Sequence, residues 1–447
     1  MAHFAHVLVG DQDAETAMQQ VDILNKAGYK AYPVSDATSL IGLGGSRRPD
    51  AIMVGNFSNP GQVELVRQLR GGADTAHIPV LIFGCDGSAE TRKAAVDLAV
   101  EDMIEGPLPE NLLLARMPAL ARLSTLRREL SRRLATAAEF GTTVSSADHD
   151  RFAGQRYHAM VVAQTSAAEA DIQTSLLDRD IDTVLSNNAY AAGDKLDDER
   201  FEACIISVAP GDDLERAIYL CSHIRHNPRL FNLPVLVVSA KGMFESEAEI
   251  YRNGATIALL DNRDLDLIGT YVELLIARQR ERWSMRDPMA ATITDKTGDA
   301  VLSGVYSHAF LESHLQRMVA DAQAREMNLS LCTFSIQNVT DIKERYGQEA
   351  ADILMQQMAD WITGLLRTED VAARTGDIQF TVALTDTDEE NAKAVTQRIL
   401  GILHHSDFRL TDEIMEAVQV WVQASVVTLN ADDSAEGLMK RGEDSLF

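Results

Sequence analysis

Two tandem doubly wound parallel α/β domains followed by a smaller α+β domain is the architecture the sequence predicts, on three observations. From residue 6 to 120, short apolar runs alternate with helically spaced ones: HVLV, then Met18, Val21 and Leu24, then DAIMV, VELVRQLR and IPVLIFG. Buried parallel strands read as unbroken apolar runs, so this rhythm predicts a parallel sheet covered by helices. The rhythm returns from residue 157 in YHAMVVAQ, FEACIISV, AIYLCSHIR, NLPVLVVSA and ATIALL, and HIPVLIFG at 77–84 corresponds to NLPVLVVS at 232–239, so one domain occurs twice. The last third changes character, with an antiparallel hairpin at its centre. A length of 447 residues, at roughly 100 to 200 per domain, agrees with three domains.

The remaining elements follow in chain order. Gly42 to Ser46, GLGGS, precedes the DAIMV strand instead of following one, so it reads as a loop and not as a dinucleotide fingerprint. Between the copies, Leu113, Met117, Leu120, Leu123, Leu126, Leu130 and Leu134 recur three or four apart, and six arginines from Arg116 to Arg133 take other positions. That spacing predicts an amphipathic helix, which either packs or dimerises at a domain end or lies on a membrane surface. VELLIARQRERW predicts a second terminal helix, stopped near Pro288, with DPMAATITDKTGDA as a linker. Leu329 to Val339 is strand-like, Leu354, Met358, Trp361 and Leu365 form a helical face, and VAART and IQFTVAL flank a Gly376-Asp377 turn. A helix from Glu389 to Leu403, an alternating strand from Val418 and a helix ending at Leu446 complete the chain. The expected domains are 1–140 with its terminal helix, 155–287, a linker 288–300, and 301–447.

Composition excludes several classes. Forty-six per cent hydrophobic and 24% charged residues are ordinary for a globular protein, which excludes wholesale disorder. Lys and Arg number 41 against 67 Asp and Glu, a formal net charge of −26 that repels phosphate backbones and anionic lipid. Neither nucleic acid nor membrane insertion is expected, and any anionic ligand must be held by a few well-placed arginines. Cys85, Cys204, Cys221 and Cys332 lie far apart in apolar runs and read as reduced, buried thiols. With no signal peptide at MAHFAHVLVG and no apolar run of membrane-spanning length, the expected location is the cytoplasm. Cys221, His223 and His226, or His404, His405 and Asp407, lack a four-ligand metal spacing and read as surface or helix-end residues.

Arg367 to Phe380 reads R-T-E-D-V-A-A-R-T-G-D-I-Q-F. It resembles the GGDEF domain of diguanylate cyclases, in which R-x-x-D stands five residues before a G-G-[DE]-E-F hairpin. Ser303-Gly304-Val305 stands for the family's T-G-L, Tyr346-Gly347 for its F-G, and Leu438 to Phe447 for its last helix. The two preceding domains resemble CheY-like receivers, and the layout resembles PleD-like receiver-receiver-GGDEF response regulators.

The resemblance implies two sites. Cyclases need carboxylates to hold Mg²⁺ on a triphosphate, because hard cations require charged oxygen ligands. Those positions carry Ser335 and Gln337 on one strand and Ile378 and Gln379 in the signature, after Gly376 and Asp377. Lys343 replaces the guanine-reading Asn, Asp352 survives, and the chain given stops at Phe447, before the family's following Lys. No catalysis and no catalytic cofactor are therefore expected. The family's inhibitory site binds cyclic di-GMP as an intercalated dimer, and Arg367, Asp370 and Arg398 match it. An Arg fork suits guanine O6 and N7 or phosphate oxygens, and an Asp accepts from guanine N1–H and N2–H. The family's arginine on the first helix is Asp321 here; Arg317, Arg325 or an arginine within 278–282 remain as substitutes.

A working receiver needs two acids after its first strand, an Asp after the third, Thr or Ser after the fourth and Lys after the fifth. The first copy has Asp11 and Asp13 but Gly55-Asn56, Gly84 and Gly106; the second has Ala163-Gln164-Thr165, Ser207-Val208-Ala209, Ser239 and Asp261-Asn262. The expectation is a catalytically inactive cyclic di-GMP receptor acting as an adaptor, homodimeric and meeting protein partners through its receivers, at a cell pole. A weak or GTP-binding cyclase and a ligand-free scaffold are the alternatives.

Overall fold

The computed structural model describes residues 5–144, 155–177, 179–227, 229–245, 247–260, 264–410 and 417–446. The chain forms two compact units, Met1–Ser124 with Asp150–Trp283 and Thr125–His149 with Ser284–Phe447.

In the first unit, β1 (His6–Gly10), α1 (Ala14–Lys26), β2 (Lys30–Val34), α2 (Ala37–Arg47), β3 (Ala51–Val54), α3 (Pro60–Gly71), β4 (Val80–Cys85), α4 (Ala89–Asp97) and β5 (Asp102–Glu105) lead into the 30-residue α5 (Glu110–Glu139). The strands are parallel in the order β2-β1-β3-β4-β5, the doubly wound 2-1-3-4-5 arrangement. The second copy repeats it with β6 (Tyr157–Ala163), α6 (Ser166–Leu176), β7 (Ile181–Ser186), α7 (Ala189–Asp198), β8 (Ala203–Val208), α8 (Leu214–His226), β9 (Val235–Ser239), α9 (Glu247–Arg252), β10 (Ile257–Leu260) and α10 (Leu265–Ala291). Its order β7-β6-β8-β9-β10 is the same topology, and the central β3, β4 and β8 are almost wholly buried.

Helix starts are set locally. Asp13, Asp36, Asn59 and Ser88 each accept a hydrogen bond from an N–H two or three residues on, satisfying a donor that the first helical turn leaves free. The Asp36 cap corrects the reading of Gly42–Ser46: these residues lie inside α2, not in a loop. A Cβ on Gly44 would stand 3.2 Å from Thr75 Cγ2, so glycine lets the helix lie close to its neighbours, and packing overrides its poor propensity.

The two copies are bound together by polar contacts within this unit. Arg92, 6% exposed, pairs with Glu105 of its own copy and with Asp264 and Asp266 of the second. The Tyr271 hydroxyl donates to the Met103 carbonyl at 2.9 Å. α10 does not stop at Pro288 but runs to Ala291, and the following Thr292 and Thr297 are fully buried and hydrogen-bonded to each other.

The second unit holds β11 (Tyr306–Ser307), α11 (His308–Arg325), β12 (Leu329–Ile336), α12 (Val339–Tyr346), α13 (Gln348–Gly364), β13 (Val371–Gly376), β14 (Gln379–Thr385), α14 (Glu389–His404), β15 (Val422–Thr428) and α15 (Ala435–Asp444). Its sheet runs β11-β13-β14-β12-β15, with the pairs β13-β14, β14-β12 and β12-β15 antiparallel and the short β11 parallel to β13. The strand expected from Val418 begins at Val422, and the hairpin turn is Asp377-Ile378, one residue later than the sequence implies, because Thr375 bulges out of the ladder between Arg374 and Gly376. From Thr125 onward α5 belongs to this unit, and Ala137 packs in one cluster with Tyr306, Phe310 and Leu315.

All four cysteines are free and buried. Burial pushes their thiols up, to about 12 at Cys85 and Cys332 and about 11 at Cys221.

Candidate functional site

Between α13 and β13 the chain makes a tight loop. The Asp370 N–H donates to the Arg367 carbonyl at 3.1 Å, and Asp370 Oδ2 accepts from the Arg367 N–H at 2.9 Å, so the two ends of the R-x-x-D motif lock each other. Arg398, on α14, donates from Nη2 to the Leu365 carbonyl at 3.0 Å. The structure thus brings Arg367, Asp370 and Arg398 to one loop. The two arginines are exposed, and the Arg367 guanidinium makes no hydrogen bond among the described residues.

Asp370 is different. It is only 9% exposed, and its Oδ1 is buried without a hydrogen-bond partner. Burial, and then the neighbouring Glu369 charge, push its carboxyl up to about 7, against the opposing pull of Arg367 and Arg133. Asp370 Oδ1 is thus a buried acceptor left open beside an exposed guanidinium, and leaving such an acceptor unmade is costly.

Beneath the loop lies a network that the sequence reading did not single out. Arg133 of α5 donates from Nη2 to the Asp370 carbonyl at 2.7 Å and from Nε to Glu129 at 2.6 Å. Glu129 is fully buried and also takes Arg132 at 2.9 Å and His314 Nε2 at 3.0 Å. His314 lies with its Nδ1 3.0 Å from the Thr136 hydroxyl. Burial holds His314 below its usual range, and its neutral ring donates from Nε2 to Glu129, while the Thr136 hydroxyl donates to the Arg132 carbonyl at 3.0 Å. Burial alone would raise the Glu129 carboxyl, but His314 and Arg133 hold it far below the carboxylate range. One signal was present: a glutamate between Leu126 and Leu130 on an apolar stripe.

The other implied positions also converge. Ser335 faces Gln379 across β12 and β14, Gln337 Nε2 donates to Ser335 Oγ at 2.9 Å, and the Ile336 N–H donates to the Ile378 carbonyl at 2.9 Å. The turn is braced by Arg374, which donates to the Gly376 and Asp377 carbonyls. Lys343 is exposed on α12, and Asp352 accepts from Gln348. The cluster Ser335, Gln337, Ile378 and Gln379 offers amides, a hydroxyl and an alkyl group, with no carboxylate for a hard cation. Of the substitutes considered for a further ligand arginine, Arg317 pairs with Glu139 and Arg325 with Asp321, which also takes Arg132. His223 lies 3.2 Å from Asp197, and His405 bonds the Gly401 carbonyl.

Residues 299–447 match the family model "Diguanylate cyclase, GGDEF domain". Over 457 aligned positions, 99% of this chain and 96% of the relative, the chain is 23% identical to "Response regulator PleD" of Caulobacter vibrioides. The architecture is PleD-like: receiver, receiver, GGDEF. The chain is also 27% identical over 143 residues to "Diguanylate cyclase A" of Treponema denticola, covering 32% of this chain and 38% of that one. Among solved structures, the GGDEF domain of DgcB from Caulobacter crescentus in complex with c-di-GMP is 16% identical, covering 33% of this chain and 88% of that one with a TM-score of 0.32.

In the first receiver, the positions of the phospho-acceptor pocket lie at the carboxyl ends of β3, β4 and β5, where ligands bind in parallel sheets. Asp13 is used as the cap of α1. Gly84 and Gly106 are left-handed, at φ 68° and 66°. A Cβ on Gly55 would fall 1.9 Å from Asp11 Oδ2 and 2.7 Å from the Phe83 ring. Gly55→Asp is therefore expected to lower stability by roughly 1–3 kcal/mol through overpacking, and not to restore labelling by acetyl phosphate. A thermal melt and a phosphorylation assay check it. In the second receiver, Ser239 donates to the Ala240 carbonyl, and Asp261-Asn262 lie outside the described residues. No described helix is long and apolar enough to cross a membrane.

Proposed function

We propose that the chain is a catalytically inactive receptor for cyclic di-GMP, bound as an intercalated dimer at the R-x-x-D loop by Arg367, Asp370 and Arg398. The observation that carries this reading is the open, buried Oδ1 of Asp370 beside the unbonded Arg367 fork, on a loop that Arg398 also holds. Asp370 accepts guanine N1–H and N2–H, and the arginines bind guanine edges or phosphate oxygens and stack on bases. At the position of the cyclase metal site, Ser335, Gln337, Ile378 and Gln379 cannot hold Mg²⁺ on a triphosphate, and Asp377 repels it.

The layout resembles PopA, a degenerate PleD relative, and the proposed output is that of an adaptor. The domains are taken as 1–140, 155–287 and 301–447 with a linker between the last two. Ligand at the loop favours one arrangement of the chain, and the receivers offer surfaces to protein partners and to a second copy, in the cytoplasm at a cell pole. A ligand that binds both arrangements equally shifts nothing, so the partner must itself tighten ligand binding.

Calorimetric titration of the full chain tests this. Cyclic di-GMP is expected to bind wild type with about two ligands per site, and Arg367→Ala to weaken binding by roughly 100-fold, the loss of a bidentate charged hydrogen bond. Incubation with GTP and Mg²⁺ is expected to give no product. Product formation, or no heat with wild type, sinks the proposal.

A further inference from the structure

Five arginines surround one cavity in the first unit of a chain whose net charge is −26. The cavity, of about 120 Å³, lies between the two receivers and is lined by Arg116 and Arg122 of α5, Arg225 of α8, and Arg278 and Arg282 of α10, with Asp102 as its one carboxylate. That volume is several times the roughly 10–15 Å³ one water needs.

The arginines are not equivalent. Arg225 is spent on the protein, donating to the Gly254, Phe231 and Leu233 carbonyls and to Thr256. All its partners are neutral, so its charge is uncompensated, and burial lowers it to about 10. Arg116 is 3% exposed and takes Asp102 only at 3.3 Å, while its Nε is buried without a partner. Arg278 is the decisive one. It is 7% exposed, lines the cavity, and makes no hydrogen bond or ion pair among the described residues. The Arg278 guanidinium has no protein acceptor to complete it, and the Asp102 charge that it feels is already shared with Arg116 and the Met103 N–H. Planar guanidinium forks converging on one small volume match a tetrahedral oxyanion better than a planar carboxylate, because several can each donate to different oxygens.

We infer that this inter-receiver cavity is a binding site for a phosphate-type oxyanion, held by Arg278 and Arg116 with Arg122 and Arg282 around it. The site is separate from the aspartyl-phosphate pockets at the carboxyl ends of the receiver strands, and it does not depend on the cyclic di-GMP reading. Its occupant joins residues of both receivers, so binding favours the docked pair.

The test uses the full chain at constant ionic strength, with inorganic phosphate, pyrophosphate and a nucleoside monophosphate as probes, followed by calorimetry and thermal melting. Wild type is expected to bind at least one of them saturably and to melt higher in its presence. Arg278→Met is expected to weaken binding at least tenfold. Asn232→Asp, at an exposed loop residue on the rim of the cavity, supplies a carboxylate in the anion's place; it is expected to fold as wild type, to melt no lower in phosphate-free buffer, and to lose the response while keeping its response to cyclic di-GMP. A monophosphate that binds more tightly than the free ion assigns a phosphate-ended metabolite, and equal binding assigns the free ion; both uphold the site. Absence of saturable binding to wild type, or an unchanged response in Asn232→Asp, overturns it.

Discussion

Glu129→Ala is expected to destabilise the C-terminal unit by about 3–5 kcal/mol, because it removes one partner from a buried charge network and strands the others. Glu129 has no exposed surface and is the shared acceptor for Arg132, Arg133 and His314. A thermal or urea melt of the full chain reads this as a transition lowered by on the order of 10 °C. Glu129→Gln keeps an acceptor for His314 but not the charge, so it should fall between. The pH dependence follows from the same groups. The folded-state pKa values of His314 and Glu129 both lie below their ordinary values, so their contribution is present above the ordinary range and is lost on acidification, His314 as pH falls below 6.5 and Glu129 progressively as pH falls below 4.5. A transition in Glu129→Ala that matches wild type would show that the network is not buried as described.

The second large effect is at Asp370, where stability and binding are expected to move in opposite directions. Its carboxyl is raised from 3.8 to about 7, so the folded chain holds a proton there that the unfolded chain releases. That favourable contribution is complete below about pH 4 and disappears as pH rises through 7. At pH 8 the ionised, half-unpaired carboxylate is a cost, and Asp370→Asn should melt higher than wild type, with the advantage vanishing in acid. The same substitution should weaken cyclic di-GMP binding roughly 10- to 100-fold, since a charged acceptor for guanine N1–H and N2–H becomes a neutral amide. Wild-type affinity should itself fall as pH drops below 7. Calorimetry at pH 8 and pH 6 checks both statements; binding that is indifferent to pH and to Asp370→Asn removes Asp370 from the site.

Much of this was legible in the residues. The two α/β copies follow from apolar runs and one repeated segment, and both sheets have the doubly wound order. Arg367, Asp370 and Arg398 could be picked out only through the resemblance to the GGDEF family, and the chain brings them to one loop. Local rules failed where tertiary contact decides. GLGGS is a poor helix by propensity, yet a cap at Asp36 and the close approach at Gly44 make it one. The hairpin turn moved by one residue because a bulge at Thr375 cannot be read from alternation. Glu129 and His314 each look like an ordinary helix residue, and only the crossing of α5 and α11 makes them partners. Arg278 figured in the sequence only among the arginines within 278–282 that could complete the ligand site; its isolation appears only once burial is known.

The sealed thiols have a practical consequence. At neutral pH none of the four native sulfurs carries appreciable thiolate, and each is shielded by packing. A maleimide dye therefore has little background to compete with, and one cysteine engineered onto an exposed face reports from that position in the otherwise unaltered molecule.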